Sequence, residues 1–543
     1  MGSHPAKPRP REAGFWLAAA GALALALLFK SALIARDAFP FNADEAVVGL
    51  MARHIQAGSW PTFFYGQAYM GSLDAALVAG GFSLAGPSVL VIRIVQTILY
   101  LGTILTTMLL ARQMGFTVLV CALAGFLMAI PPVNVTLYTT VSLGGYGEAL
   151  LLGNLILLAT LLLQGRQAPP WAYLGWGLLA GFAWWVFGLT LVYSVPAGVM
   201  LVTSGLRGQS PRRAAVRAVA AAGGLLLGAL PMVAWSARNG LAPLLRELLG
   251  SAIAGASPQG LIAATASHAV NLALFGPTVV FGLRPPWGVS PLGMPVTPII
   301  AILWLAAIWI GLRRSSWPTE GLPGRNLLIG VALAIAAGFI VTPFGADPSG
   351  RYFLPLASPL AVILAAGVDG AVRRSGSRWP LAIAALVLGF NSWTSFQAAA
   401  GQSRMTTQFD SSTIYDHSYD DRLVEFLLEH GETAGYSTYW VAYPLAFMSG
   451  ERLVYLPHLP YHSDFRYSSR DDRYAPYREI VGAAPRAAYV TAAQPWLDTY
   501  LRQALRSLGV GYEESVIGDF RVFHSLTQLV RPVELGLGPE AAP

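Results

Sequence analysis

The chain has 543 residues, 55% of them hydrophobic and 12% charged, with a mean hydropathy of +0.53. Soluble domains carry about 25% charged residues, so a soluble globular protein is excluded and a bilayer is the solvent. The net charge of +7 sits mostly in short clusters between apolar runs, which marks membrane topology and excludes a nucleic-acid partner. The single cysteine, Cys121, excludes disulfides and thiolate metal sites within the chain.

Residues 1–11 are polar and basic, with Lys7, Arg9 and Arg11, which predicts a cytoplasmic N-terminus. Phe15–Ile34 is the first predicted span, not a signal peptide, because no small-residue cleavage site follows it. Further spans are predicted from about Val89 to Arg112, then over Phe116–Ile130, Ala149–Leu163, Trp171–Phe187 and Leu189–Thr203. A seventh lies near Val219–Trp235 and an eighth ends at Arg313 and Arg314, while Leu327–Val341, Tyr352–Val372 and Pro380–Phe396 complete the set. Strict alternation puts Arg112, Arg166, Arg207, Arg212, Arg213, Arg217, Arg373, Arg374 and Arg378 on one side. That agreement predicts about eleven spans, N-terminus inside and C-terminus outside. Between Arg238 and about Pro295 the pattern predicts a long outer loop, with room for re-entrant helices.

Past Ala400 charges become frequent and long apolar runs stop. DRLVEFLLEH (421–430) has helical spacing, and 436–438, 452–457 and 487–491 read as short strands. Helical patterns near Pro444–Met448 and Trp496–Leu508 intervene, and VIGDFRVFHSL suggests closing strands. The division is residues 1–400 as membrane domain, with 36–74 as its first outer loop, and 401–543 as an α/β domain outside the membrane.

Phe41–Asp74 concentrates three carboxylates, Asp44, Glu45 and Asp74, in a chain that has few. Asn42 and Glu45 fit a capping box and Asp44 suits the helix dipole, with Val47, Leu50, Met51 and Ile55 forming an apolar stripe at helical spacing. Capping alone does not call for two adjacent acids at a membrane surface. Neighbours at i and i+1 point apart, so at most one of them faces a substrate, and Asp44 is the expected one with Glu45 in support. Asp74 is a helix-start acid or a substrate or metal contact. Tyr65, Gln67 and Tyr69 suit a sugar, or belong to an interfacial aromatic belt. Glu148 opens an apolar helix, where an acid is costly unless functional. Arg351, in DPSGRYFLPL at the outer mouth of a span, is a phosphate ligand or a snorkelling anchor, and Arg284 in FGLRPPWG is the alternative cation. His458, His462 and Asp464 lie in a Pro-rich loop poorly suited to a metal, and His268 reads as a satisfied interfacial histidine. No Walker A, G-x-G-x-x-G or H-E-x-x-H motif appears.

An acidic pair after the first span, an interfacial helix, the turn Gly58–Pro61 and an aromatic segment together resemble the first outer loop of GT-C fold glycosyltransferases. Within that class the chain is similar to the protein O-mannosyltransferase and lipid A aminoarabinose transferase relatives. The family's acidic residue falls on Asp44, and its Arg-Tyr on Arg351 and Tyr352. Where the family closes the loop with Lys-Pro-Pro, this chain has GQAYMGSLDAAL. The resemblance implies an all-α polytopic membrane fold with a C-terminal extracytoplasmic α/β domain, in a bacterial inner membrane. It also implies sugar transfer from a polyprenyl-phosphate donor to a glycan, lipid or protein acceptor. Such a reaction needs a base for the acceptor hydroxyl and cations for the departing phosphate. A single displacement inverts the anomeric carbon and requires no enzyme nucleophile; no cofactor is demanded, although a divalent metal is compatible. The rivals are a transporter of lipid-linked saccharides, which would carry its ionisable groups near the bilayer midplane, and a non-catalytic assembly factor.

Overall fold

The computed structural model describes residues 12–164, 168–206, 210–249 and 261–539. Lys7, Arg9, Arg11, Arg166 and Arg207, used above to orient the spans, lie outside the described residues. Among the described residues six helices are long and apolar enough to cross a membrane: Glu12–Ile34, Val89–Gln113, Tyr146–Leu163, and the helical stretches Thr319–Val341, Arg351–Ser375 and Leu381–Ala399. A seventh appears if Pro211–Gly228 and Leu230–Asn239, bent by 63° at their junction, form one span. Leu73–Ala85, Val118–Ala129, Gly188–Ser204 and Thr297–Gly311 are shorter apolar helices. The chain is a multi-pass membrane protein.

The expected outer loop between residues 238 and 295 contains helices, for which the sequence left room. Helices Leu241–Leu249 and Leu261–Val280 occupy much of it. The second of these carries His268, Asn271 and Pro277, which lower its hydropathy and hid it from an apolar-run reading.

The chain separates into two compact units. The first comprises Met1–Ala38, Gln96–Thr140 and Gly145–Gly401, and the second Phe39–Val95, Val141–Gly144 and Gln402–Pro543. Most of the first loop falls in the same unit as residues 402–543.

In the first unit, small residues let helix backbones touch. A Cβ on Gly181 would stand 2.0 Å from the carbonyl oxygen of Leu225, and one on Gly224 2.1 Å from that of Leu174. Helices Pro170–Val186 and Pro211–Gly228 thus meet through glycines spaced four apart, the usual solution where lipid supplies no hydrophobic drive for helix association. Buried polar side chains join other helices. Lys30 donates to the Thr139 carbonyl (2.7 Å) and to the hydroxyls of Thr139 (2.9 Å) and Thr140 (2.6 Å).

In the second unit, strands β1 (Phe63–Phe64) and β2 (Gln67–Gly71) form an antiparallel hairpin that sequence periodicity left as loop. The main sheet contains β3 (Ala434–Ser437), β4 (Val454–Leu456), β5 (Ala488–Ala492), β6 (Glu513–Ile517) and β7 (Phe520–His524), in the order β4-β3-β5-β7-β6. β3 pairs parallel with β4 and β5, while β7 is antiparallel to β5 and β6. β3 and β5 are buried at every position, as parallel strands covered on both faces must be. Leu423 and Leu427 of helix Asp420–Glu429 and Val441 and Leu445 of helix Tyr439–Met448 pack with Val490 and Val522 into the core. Helix Tyr439–Met448 also receives helix Ala43–Gln56. The Phe447 ring lies where a Cβ on Gly49 would be, 2.4 Å from that point, so only glycine fits. The predicted stripe Val47, Leu50, Met51 and Ile55 is buried.

Candidate active site

Helix Ala43–Gln56 begins as its sequence dictates. Asn42 is extended (φ −123°, ψ 168°) and its side chain accepts from the Glu45 N–H at 3.0 Å, satisfying one donor that the first turn leaves without an intrahelical partner. Only this half of the capping box forms by side chain, because the Glu45 carboxylate is engaged elsewhere. It is completely buried, and Arg93 grips it with two bonds, Nε to Oε1 at 3.1 Å and Nη2 to Oε2 at 3.0 Å. Burial pushes the Glu45 pKa up, and the charge and hydrogen bonds of Arg93 oppose that rise.

Asp44, one residue earlier, points away from this pair. Its side chain keeps 18% exposure, and Oδ1 accepts from the Tyr439 hydroxyl at 2.5 Å while standing 3.8 Å from Nη2 of Arg473. The Arg473 side chain is only 7% exposed. The Gln67 amide, with its oxygen turned to the guanidinium, accepts from Nη1 and, at 2.8 Å, from Nη2. The Tyr439 ring centroid lies 5.3 Å from the guanidinium carbon, and the Arg473 backbone N–H donates to the Tyr443 hydroxyl at 2.6 Å. Asp471 completes the group. Its pKa is pushed up to about 7 by burial and by the charge of Asp44, against the pull of Arg473 and a hydrogen bond with Tyr461. Tyr439 is held well above the usual phenol range, mainly by burial, so it remains a donor to Asp44.

The other first-loop residues divide. Tyr69 is buried with its hydroxyl 3.2 Å from Gln67, at the edge of the Arg473 cluster. Tyr65 belongs to a second network: its hydroxyl meets His54 Nδ1 at 2.8 Å, and its ring stacks on Tyr474 at 4.7 Å. Beyond it, His54 Nε2 lies 3.0 Å from Glu451, which also accepts from Tyr477 at 2.7 Å. Asp74 is buried in the first turn of helix Leu73–Ala85 and accepts from the Ser142 hydroxyl. GQAYMGSLDAAL thus forms β2 and the start of that helix.

In the membrane unit, Arg351 opens the short helix Arg351–Leu356 after Gly350, whose φ of +78° suits glycine. Its side chain, 23% exposed, pairs with Asp347 at 2.6 Å, and the Tyr352 ring lies 5.2 Å from its guanidinium carbon. Glu148 is buried in the first turn of helix Tyr146–Leu163. Arg284 is buried and uses every donor. Nε meets Thr278, Nη1 the carbonyls of Pro285 and Gly288, and Nη2 those of Phe275 and Pro348. Burial pushes its pKa down to about 10, opposed by Tyr138 and Asp347. With five N–H groups committed to the protein, Arg284 fixes the turn that carries Arg351 and has no donor for a phosphate.

The histidines do not converge. His458 meets Asp472 at 3.3 Å and His462 meets Asp410 at 3.0 Å. Among the described residues no three His, Cys, Asp or Glu side chains form a metal-ligand group. His268 bonds the Ile340 carbonyl at 3.0 Å, a satisfied histidine as expected. Sequence reading missed Tyr439, Asp471 and Arg473. Their one local signal is DDR at 471–473, and Tyr439 meets Asp44 across 395 residues of chain.

The fold as a whole recurs in solved structures. ArnT from Cupriavidus metallidurans bound to undecaprenyl phosphate superposes with a TM-score of 0.59 at 15% identity, over 95% of this chain and 99% of that one. Archaeal oligosaccharyltransferase AglB from Archaeoglobus fulgidus, in complex with an inhibitory peptide and a dolichol-phosphate, gives 0.51 at 13% identity over 93% and 74%. Arabinofuranosyltransferase AftD from Mycobacteria gives 0.52 at 13% identity over 95% and 40%. No protein-family model and no curated protein sequence matches the chain. At these identities the likeness is one of fold. The chain has the GT-C fold, the class implied by its first loop and its Arg351-Tyr352 pair.

Proposed function

We propose that this protein is a membrane glycosyltransferase that moves a sugar from a polyprenyl-phosphate donor to a hydroxyl acceptor with inversion, Asp44 acting as general base. One observation carries the reading. Of two adjacent acids, Glu45 is sealed against Arg93, whereas Asp44 keeps partial exposure and all its hydrogen bonding described here falls on Oδ1. Oδ2 is then the atom that takes the proton of the acceptor hydroxyl as that oxygen attacks C1 and the lipid phosphate departs with the bonding pair. Arg351, with Tyr352, is the cation assigned to the departing phosphate, a role its partial exposure allows. Gln67 and Tyr69 are assigned to the sugar, Asp74 to the acceptor, and Glu148 to a substrate contact. The relatives in structure crystallised with undecaprenyl phosphate and dolichol-phosphate support a prenyl-phosphate carrier. In this reading the first loop and residues 401–543 face outward from a bacterial inner membrane and the N-terminus faces the cytoplasm.

The test is incubation of purified protein in lipid with a panel of polyprenyl-phosphate sugars and candidate acceptors, with and without EDTA, following polyprenyl phosphate release. Release with at least one donor, cut by a factor of about 10²–10⁴ in Asp44→Asn, is the expected outcome. Wild-type protein that releases nothing from any donor would instead favour transport of lipid-linked saccharides.

A further inference from the structure

We propose that Arg473 and Tyr439, both carried by the C-terminal α/β domain, are positioning residues for the Asp44 base: the Tyr439 hydroxyl holds Oδ1, Arg473 stands beside it as the local cation, and Oδ2 is left to the acceptor. The inference rests on the general-base reading of Asp44 and gives the C-terminal domain a part in the chemistry.

Three features distinguish this arrangement from a fold-stabilising ion pair. The first is geometry. Arg93 meets Glu45 with two bonds near 3 Å, whereas Arg473 stands 3.8 Å from Asp44, too far for a hydrogen bond. The second is satisfaction. Nε of Arg473 is buried with no acceptor among the described residues, a costly state for a guanidinium whose task was only to tie two segments together. The third is redundancy. Asp44 sits in the first turn of its helix, where the dipole already favours its charge, so helix stability does not require Arg473.

What the arrangement does supply is orientation. The Tyr439 hydroxyl, buried and always protonated, fixes Oδ1 in direction. Gln67 and the Tyr439 ring fix the guanidinium plane, and the Tyr443 hydroxyl fixes the Arg473 backbone. The groups facing Asp44 are thus Tyr439 from its helix and Arg473 and Asp471 from the segment before helix Pro476–Ala483.

The experiment compares Tyr439→Phe, Arg473→Gln and Arg473→Lys with Asp44→Asn in the release assay, using the donor that wild type turns over. Tyr439→Phe and Arg473→Gln should each lower kcat about tenfold or more. Donor KM should stay within about twofold, and Arg473→Lys should restore part of kcat. A second readout needs no turnover: the melting temperature in detergent should stay within a few degrees of wild type in both variants. Unchanged kcat in both variants, or a kcat loss matched by a large fall in melting temperature, would overturn the inference while Asp44 stays the base. Full kcat in Asp44→Asn would instead remove the base reading itself.

Discussion

Two buried arginines, one in each unit, are satisfied in opposite ways. Arg284 directs its five donors to four backbone carbonyls and a threonine hydroxyl, all neutral and all close by in sequence or across one turn. Arg473 has one amide oxygen as a true acceptor, a carboxylate beyond hydrogen-bonding range and a bare Nε. An arginine saturated by backbone is part of the scaffold, because removing it orphans carbonyls that water cannot reach. An arginine held loosely between carboxylates has electrostatic capacity to spare, and that is the kind of group a reaction can use.

The comparison is tested most severely by a third arginine. Arg93 resembles Arg284 in being fully engaged, its partner here being the buried Glu45 carboxylate. Replacing it by leucine leaves a charge with no exposure, which should cost on the order of 3–5 kcal/mol and show as loss of monodisperse protein or a large fall in melting temperature. Glu45→Gln should be milder than Arg93→Leu, since a neutral amide can still accept from Arg93. If Arg93→Leu melts like wild type, saturation does not identify structural arginines and the contrast collapses.

Arg284→Gln comes next in size. Four carbonyls lose donors, and one glutamine amide replaces at most two, so a loss of about 2–4 kcal/mol is expected. Arg473→Gln should melt within a few degrees of wild type, because it removes a buried cation with an unsatisfied donor. Equal melting losses in the two variants, read by the same thermal scan in detergent, would show that both arginines are scaffold.

The sequence carried part of this contrast and not the rest. The acid pair, the capping Asn42 and the apolar stripe of helix Ala43–Gln56 are local patterns, and so is the buried strand β5, whose Tyr-Val-Thr run reads directly. Adjacency also separated Asp44 from Glu45, since a helix turns about 100° per residue. Which of the two is sealed depends on Arg93, 48 positions away, and that no local pattern shows. Arg473 and Tyr439 were invisible for the same reason. Helix Leu261–Val280 was lost to its own polar residues, and β1–β2 to strands too short for a period to register.

Asp471 sharpens the picture of Arg473 through pH. Its folded pKa of about 7 lies above the ordinary 3.8, so the folded state favours the protonated acid. The stability this contributes is complete below about pH 4 and is lost as pH rises toward 7, amounting to on the order of 4 kcal/mol. Wild type should therefore melt higher at pH 5 than at pH 8 through this group, and Asp471→Asn should flatten that slope. If Arg473 were in truth tightly paired with Asp471, the acid would be held low and the slope would run the other way.

The smallest expected effect concerns Tyr65, which sequence reasoning offered to a sugar and the structure assigns to His54, Tyr474 and the Glu451 network. Tyr65→Phe keeps the ring and its stack and removes one hydrogen bond to a half-buried imidazole, worth about 1 kcal/mol. A melting temperature lowered by a degree or two, with donor KM unchanged, is the outcome if the hydroxyl serves only His54. A tenfold rise in KM at unchanged stability would return Tyr65 to the substrate. It would also show that hydrogen-bond saturation, the criterion used to tell Arg284 from Arg473, separates scaffold from site for arginine but not for tyrosine, whose hydroxyl can exchange one acceptor for another at little cost.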